Sequence, residues 1–306
     1  MKILVTGGAG FIGSHVVDAY IKQGHDVVVI DNLVTGYERN INPKAKFYKM
    51  DIQDAAVHDV FEREKFDVVN HHAAQMDVRK SVSDPVYDAK NNILGSINLM
   101  QAAVNTSVQK FIFVSSGGAI YGEQVIFPAD EEHATWPLSP YGITKLTGEK
   151  YLYFHSQTYG LKYVILRYAN IYGPRQNPHG EAGVVAIFST KLLNREQPVI
   201  NGNGEQTRDY VYVGDVVAAN LRVTEYKQND YFNIGTGIET NVNEIFYYLN
   251  EFTGGHAIEQ HGPAKPGEQL RSVLNYSKAG KLLGWSPQVS LKDGLKQTVE
   301  YFSSTR

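Results

Sequence analysis

The sequence predicts an α/β protein built on a doubly wound parallel sheet, with a smaller α/β region towards the C-terminus. Three observations predict it: strand-like and helix-like segments alternate through the first half, several strands are apolar along their whole length, and a glycine-rich turn follows the first strand directly. Taken in order, Ile3–Thr6 is the first strand and Phe11–Gln23 the first helix, followed by the strands Asp26–Ile30 and Ala45–Met50. The helix Ala55–Glu64, the strand Phe66–His71 and the helix Val86–Val104 come next. Lys110–Ser115 (strand), Tyr141–Tyr159 (helix) and Lys162–Tyr168 (strand) complete the alternation. Runs such as Val-Val-Val-Ile and Phe-Ile-Phe-Val fit parallel strands covered by helices on both faces.

After about residue 170 the rhythm breaks. Loops rich in Gly and Pro (Gly173–Gly183, Pro198–Arg208, His261–Gly267) separate the helices Val184–Asn194, Gly214–Tyr226 and Asn241–Phe252. The strand Tyr231–Ile234 is expected to return to the first sheet. The expected division is a nucleotide-binding domain over 1–170, with parts of 211–235 returning to it, and a region over 171–306 that mainly takes the substrate.

Composition narrows the function classes. The chain has 306 residues, 42% hydrophobic and 20% charged, enough to bury a sizeable core. Lys+Arg number 29 against 32 Asp+Glu, so the net charge of −3 argues against nucleic acid or an anionic membrane surface as partner. Cys is absent, which excludes disulfides, a thiol nucleophile and Cys-ligated metal. No apolar stretch suits a signal peptide or a membrane span, and a cytoplasmic protein is expected.

The first strand runs into Thr6-Gly7-Gly8-Ala9-Gly10-Phe11-Ile12-Gly13. Gly7, Gly10 and Gly13 let the backbone turn tightly and approach a pyrophosphate, to which the following helix presents its amides and the positive end of its dipole. Asp31 closes the second strand, where a carboxylate accepts hydrogen bonds from an adenosine ribose and repels a 2′-phosphate; no Arg follows until Arg39. The predicted cofactor is NAD, not NADP. Asp51, at the end of the third strand, is placed either to reach the adenine or to cap the next helix.

Tyr141 and Lys145 open a helix just after Ser139-Pro140 and, at i and i+4, share one face. A neighbouring cation favours phenolate, so such a tyrosine suits a general base better than a free phenol, whose pKa is about 10. Ser115-Ser116 end the fifth strand, at the edge that lines the ligand crevice of this fold, and are placed to hydrogen-bond a substrate hydroxyl. No metal site is expected: the adjacent His71 and His72 point to opposite faces of a strand and cannot chelate one ion. Serine hydrolysis is not expected, because the chain has no Gly-x-Ser-x-Gly elbow.

These motifs, with His72-Ala73-Ala74, Asn92, Leu166-Arg167-Tyr168-Ala169-Asn170 and Gly284-Trp285-Ser286-Pro287, resemble the extended short-chain dehydrogenase/reductase superfamily. Within it the chain looks most like the UDP-glucose 4-epimerases and related UDP-hexose 4-epimerases, over nearly its whole length. The resemblance implies an isomerase with a redox-neutral cycle. Tyr141 takes the proton from the sugar O4 while hydride leaves C4 for NAD; the 4-keto sugar turns over and accepts the hydride on its other face. Lys145 holds the nicotinamide ribose, Ser116 bonds O4, and contacts to the distant UDP keep the ketone from escaping. The positions implied for NAD are Gly7, Gly10, Phe11, Ile12, Gly13, Asp31, Asn32, Asp51, Ile52, His72, Ala73, Ala74, Asn92, Ser115, Tyr141, Lys145 and Tyr168. For the UDP-sugar they are Ser116, Tyr141, Asn170, Val184, Val185, Arg208, Lys265, Glu268 and Ser272, with the planar fork of Arg208 suited to a diphosphate.

Two departures from the family pattern stand out. Gly117 occupies the place, four residues before the tyrosine of Ile-Tyr-Gly, where many epimerases carry the Ser or Thr; Ser116 is one position earlier, and Ser115 is a second candidate. Lys265 and Glu268 replace a more usual Arg and Asp. Ser272 falls where members restricted to glucose and galactose carry a tyrosine beside the sugar C2 substituent, which predicts room for N-acetylated sugars. Nucleotide-sugar dehydratases and decarboxylases of the superfamily need a carboxylate after the Ser/Thr, and this chain has Gly117-Gly118-Ala119-Ile120. A 4-epimerase of UDP-glucuronate or a UDP-pentose needs no further group and is the nearer alternative. A non-catalytic NAD sensor would have no use for the Tyr/Lys pair. The helices Val86–Val104 and Tyr141–Tyr159 correspond to those that build a homodimer interface in this family.

Overall fold

Strand and helix follow one another through the first half as the apolar runs require. β1 (Lys2–Thr6), α1 (Phe11–Lys22), β2 (Asp26–Asp31), β3 (Lys46–Lys49), α2 (Val57–Glu64) and β4 (Val68–His71) come first. α3 (Val78–Ser83), α4 (Pro85–Ala89) and α5 (Gly95–Asn105) lead to β5 (Lys110–Ser116), and the single-turn α6 (Gly117–Ile120), the long α7 (Pro140–Tyr159) and β6 (Tyr163–Tyr168) follow. The computed structural model describes residues 1–178, 183–264 and 269–305. Portions of the two expected loops at Gly173–Gly183 and His261–Gly267 therefore lie outside the described residues.

The second half is assembled from shorter pieces. β7 (Asn170–Tyr172), α8 (Val184–Leu193), β8 (Ile200–Asn201), β9 (Thr207–Arg208) and β10 (Tyr210–Tyr212) precede α9 (Val213–Glu225) and β11 (Asp230–Ile234). β12 (Thr240–Asn241), α10 (Val242–Phe252), β13 (His261–Gly262), β14 (Arg271–Ser272), α11 (Ser277–Leu283) and α12 (Leu291–Ser304) complete the chain.

The main sheet has seven strands, all parallel, in the order β11-β6-β5-β4-β1-β2-β3. Chain direction across the sheet reverses between β1 and β4, and that switch point opens the crevice at the strands' carboxyl ends. Side-chain alternation builds a core on each face. Ile3, Val5, Val27 and Val29 pack with Val16, Val17 and Tyr20 of α1 and with Val216 and Val223 of α9. Leu4, Val28 and Ile30 pack on the other face with Val60 and Phe61 of α2, Leu99 of α5 and Leu152 of α7. Each such side chain contributes about 1.5–3 kcal/mol by leaving water. A third core joins α8, α10 and α12 around Val185, Phe188, Ile245, Leu249 and Leu295.

One feature differs from the sequence expectation. The helix expected over 86–104 is three segments. Asp84 caps α4 by accepting from Tyr87 N at 3.1 Å, Pro85 occupies its first turn, and a π-turn at Lys90–Leu94 separates it from α5. The π-turn carries Asn92, whose amide is directed inward and buried. The strand expected at Tyr231–Ile234 does join the main sheet: β11 lies beside β6 at its edge, and α9 packs on α1. The later part of the chain thus supplies both a strand and a helix to the first sheet's body.

Candidate active site

At the carboxyl end of β1 the backbone turns through Gly7, at φ +70°, whose N–H donates to Ile30 O at 2.9 Å. A Cβ on Gly7 would stand 2.7 Å from Ala73 N, and one on Gly13 would stand 2.3 Å from Gly7 O, so only glycine permits this packing. α1 starts with Gly10 as its N-cap, without a side-chain cap and without an acidic residue in its first turn. Its leading amides, Phe11 and Ile12 among them, and the positive dipole end suit a diphosphate.

Around this loop stand the other residues expected at the dinucleotide. The Asp31 carboxylate accepts from Ala9 N at 3.0 Å and Leu33 N at 2.8 Å; burial raises its pKa and these bonds oppose the rise. The Asn32 amide donates to Asp51 Oδ2 at 2.8 Å, while Asp51 Oδ1 accepts from Gln53 N at 2.9 Å. Asp51 therefore joins two loops and does not cap α2, whose N-cap is Ala56. Ile52 is buried against Gly95, where a Cβ would come within 2.6 Å of Ile52 Cδ1.

The two histidines diverge as strand geometry requires. His71 is fully enclosed, with Nδ1 2.7 Å from Thr6 Oγ1 and Nε2 2.9 Å from Ser96 Oγ. His72 Nε2 is buried without a hydrogen-bond partner beside Ala73 and Ala74, and burial brings the ring's pKa down to about 3. An orphaned nitrogen next to a cradle that admits no Cβ fits a bound dinucleotide. Asn92 is gripped on both sides: Gln75 N donates to its Oδ1 at 2.8 Å, and its Nδ2 donates to Gln75 O at 2.9 Å.

α7 begins at Pro140, capped by Ser139 Oγ, which accepts from Gly142 N at 3.1 Å. This cap sets Tyr141 in the first turn and Lys145 one turn on. Lys145 Nζ donates to Val114 O at 2.9 Å and lies 5.9 Å from the centroid of the Tyr141 ring. Burial lowers the Lys145 pKa to about 8, against the opposing charges of Asp88 and Glu149.

The serine pair separates by strand alternation. Ser115 is buried and donates to Glu149 Oε1 at 2.6 Å, so its hydroxyl is committed to the sheet's interior. Ser116, in register with Tyr168 of β6, turns the other way at the start of α6 and makes no cap bond there. Tyr168 is buried, with its hydroxyl accepting from Asn220 Nδ2 at 2.7 Å.

On the substrate side, β14 and β9 pair with Ser272 opposite Arg208. A Cβ on Gly118 would lie 3.7 Å from both Asn170 Oδ1 and Ser272 Oγ, which brings Ser272 and Asn170 together just beyond Ser116. Val184 and Val185 open α8, and the Val185 side chain is wholly buried in the third core. Lys265 and Glu268 lie outside the described residues.

Sequence reasoning missed four buried charges around this site. Arg167 grips Glu149 through Nε to Oε1 at 3.0 Å and Nη2 to Oε2 at 2.7 Å. Asp209, next to Arg208, accepts from Thr236 Oγ1 at 2.6 Å and from the N–H of Thr236, Gly237 and Leu274. Asp88 is fully buried behind α7. The signal for Glu149 was its spacing, one turn after Lys145 and two after Tyr141, and for Arg167 it was a charge inside an otherwise apolar strand.

A doubly wound fold with a glycine cradle, a carboxylate at the end of β2 and a Tyr/Lys pair facing the crevice defines a dinucleotide-dependent enzyme. The sequence model of the NAD dependent epimerase/dehydratase family matches residues 3–235, and the chain belongs to that family. A putative UDP-glucose 4-epimerase of Methanocaldococcus jannaschii is 48% identical over 302 residues, covering 99% of this chain and 98% of its own. The UDP-glucose 4-epimerase of Thermotoga maritima, solved with UDP-glucose, is 52% identical with a TM-score of 0.98, covering 100% of this chain and 99% of that one. The Thermus thermophilus enzyme, solved with NAD, is 41% identical with a TM-score of 0.93, covering 99% of each chain.

Proposed function

We propose that the chain interconverts UDP-hexoses at C4, UDP-glucose and UDP-galactose first among them, through a transient 4-keto sugar. The observation that carries this reading is the placement of Tyr141 and Lys145 on one face of α7, with Ser116 at the end of β5. NAD, held by the glycine cradle, Asp31 and the loops after β3 and β4, supplies a reversible hydride acceptor. Tyr141 removes the O4 proton and later returns it, Ser116 orients O4, and Lys145 places positive charge beside the phenol. Arg208 binds the diphosphate, so binding energy from the nucleotide retains the ketone while the sugar turns.

The small side chain of Ser272, close to Gly118 and Asn170 where a tyrosine would fill the site, supports acceptance of N-acetylated sugars as well. Residues 1–170 with β11 and α9 act as the nucleotide-binding body, and the remainder of 171–306 mainly binds UDP-sugar. α4, the π-turn after it and α7 leave Val86, Leu94, Ile143 and Phe154 about half exposed or more, which supports a homodimer of the soluble, cytoplasmic protein through these helices.

Incubating the purified protein with UDP-galactose or UDP-N-acetylgalactosamine, without added NAD, tests the reading. Interconversion of both pairs is expected, and Ser272→Tyr should abolish only the N-acetyl reaction. Net accumulation of NADH with product would identify a dehydrogenase instead.

A further inference from the structure

Behind the catalytic face of α7 lies a carboxylate with no role in the chemistry derived so far. Asp88, on α4, is fully buried, although its neighbours Val86 and Tyr87 are exposed. Its Oδ1 accepts from Gln75 Nε2 at 2.8 Å and from Asn92 Nδ2 at 3.0 Å. Its Oδ2 accepts from Thr144 Oγ1 at 2.8 Å. All three donors are neutral groups, so the charge is solvated by fixed dipoles and remains available to act on a cation nearby.

The placement of these partners is specific. Thr144 immediately precedes Lys145, and its hydroxyl also lies 3.0 Å from Tyr141 O. Asn92 comes from the π-turn, and its own carbonyl accepts from Ser96 Oγ at 2.6 Å, which meets His71 and, through it, Thr6 at the glycine loop. One carboxylate thus ties the helix that carries Tyr141 and Lys145 to the loop after β4. We propose that Asp88 is a positioning residue for the reaction: it fixes the Tyr141–Lys145 face through Thr144 and acts as buried counter-charge to the Lys145 ammonium. This rests on the reading of Tyr141 and Lys145 as the catalytic pair.

The groups facing Lys145 are few. They are the Asp88 carboxylate from α4, Glu149 and Tyr141 from its own helix, and the imidazoles of His71 and His72, both held neutral by burial. Glu149 is already neutralised by Arg167, which leaves Asp88 as the carboxylate whose charge bears on Lys145 without a bound cation of its own. Loss of that charge would make the ammonium easier to deprotonate, so activity that needs the ammonium would fail at lower pH.

The test measures kcat and KM for UDP-galactose from about pH 6 to about pH 9 in the full-length protein with its retained NAD. Asp88→Asn should move the alkaline limb of kcat acidward by about one pH unit and lower kcat at pH 8 about fivefold, with KM within about twofold. Thr144→Val should lower kcat several-fold without moving the limb, and Thr144→Ser should restore it. An Asp88→Asn enzyme with an unmoved profile, whatever its melting temperature, would overturn the counter-charge role. If that variant does not fold, Thr144→Val decides: a kcat equal to that of the parent would overturn the positioning role, and a loss rescued by Ser would support it. Failure of the parent protein to epimerise at all would instead refute the underlying reading.

Discussion

The two halves of the molecule are built by different means. In the nucleotide half, seven strands bury alternating apolar side chains on both faces, and the functional loops are fixed where those strands end. In the substrate half, the strands other than β11 are only two or three residues long and buried polar joints replace much of the sheet. Asp209 fastens the turn after β11 and the segment after β14 to β9 and β10. Asp215 accepts from Gln288 N at 3.0 Å and Val289 N at 3.1 Å, and its carbonyl accepts from Trp285 Nε1 at 2.9 Å. A broad sheet core holds the first half; a helix core together with directed hydrogen bonds holds the second. Damage to the first should therefore cost the cofactor, and damage to the second should weaken the sugar nucleotide while NAD stays bound.

The largest expected effect is at the cradle. Gly13→Val puts a side chain where even a Cβ would meet Gly7 O, so bound NAD and activity should both fall to background, read by the absorbance of the purified protein and by turnover. Retention of NAD in this variant would break the contrast. On the other side, Arg208→Ala should raise KM about 10- to 100-fold, the worth of a lost charge-assisted pair, with NAD content unchanged.

Asp209→Ala comes next. It leaves four buried donor groups without their acceptor, for a loss of about 2–3 kcal/mol seen as a lower melting temperature, together with a raised KM and normal NAD content. The smallest effect is expected at the sheet's rim. Burial pushes the Glu64 carboxyl up, but hydrogen bonds from Lys2, Lys46 and Tyr48 outweigh it and hold the pKa at about 2. A depressed carboxylate contributes its stability in full above its unfolded value near 4.5, and loses it as the pH falls from there through about 2. Denaturant titrations across that interval should show Glu64→Gln with a shallower acid loss than the parent.

The same contrast explains what was legible in the sequence. Strand boundaries in the first half follow from apolar runs, and Tyr231–Ile234 was recognisable as a returning strand because it carries the same pattern. The pairs β9–β12 and β9–β14 involve two residues per strand, too short for any period to register. The break in the helix over 86–104 comes from a π-turn that no residue preference in Lys90–Leu94 announces. At the site, the glycine loop, Asp31 and the Tyr/Lys spacing are local signals. Which of Ser115 and Ser116 faces outward depended on the partner Glu149, and the roles of Asp88 and Asp209 depend on donors far away in sequence.

The central claim is that the Tyr141 hydroxyl carries the proton in both directions at the sugar O4. Turnover of UDP-galactose by Tyr141→Phe, in protein shown to retain NAD and its melting temperature, tests it most directly. The account predicts a fall in kcat of about 10²- to 10⁴-fold. A kcat within about twofold of the parent enzyme would contradict it.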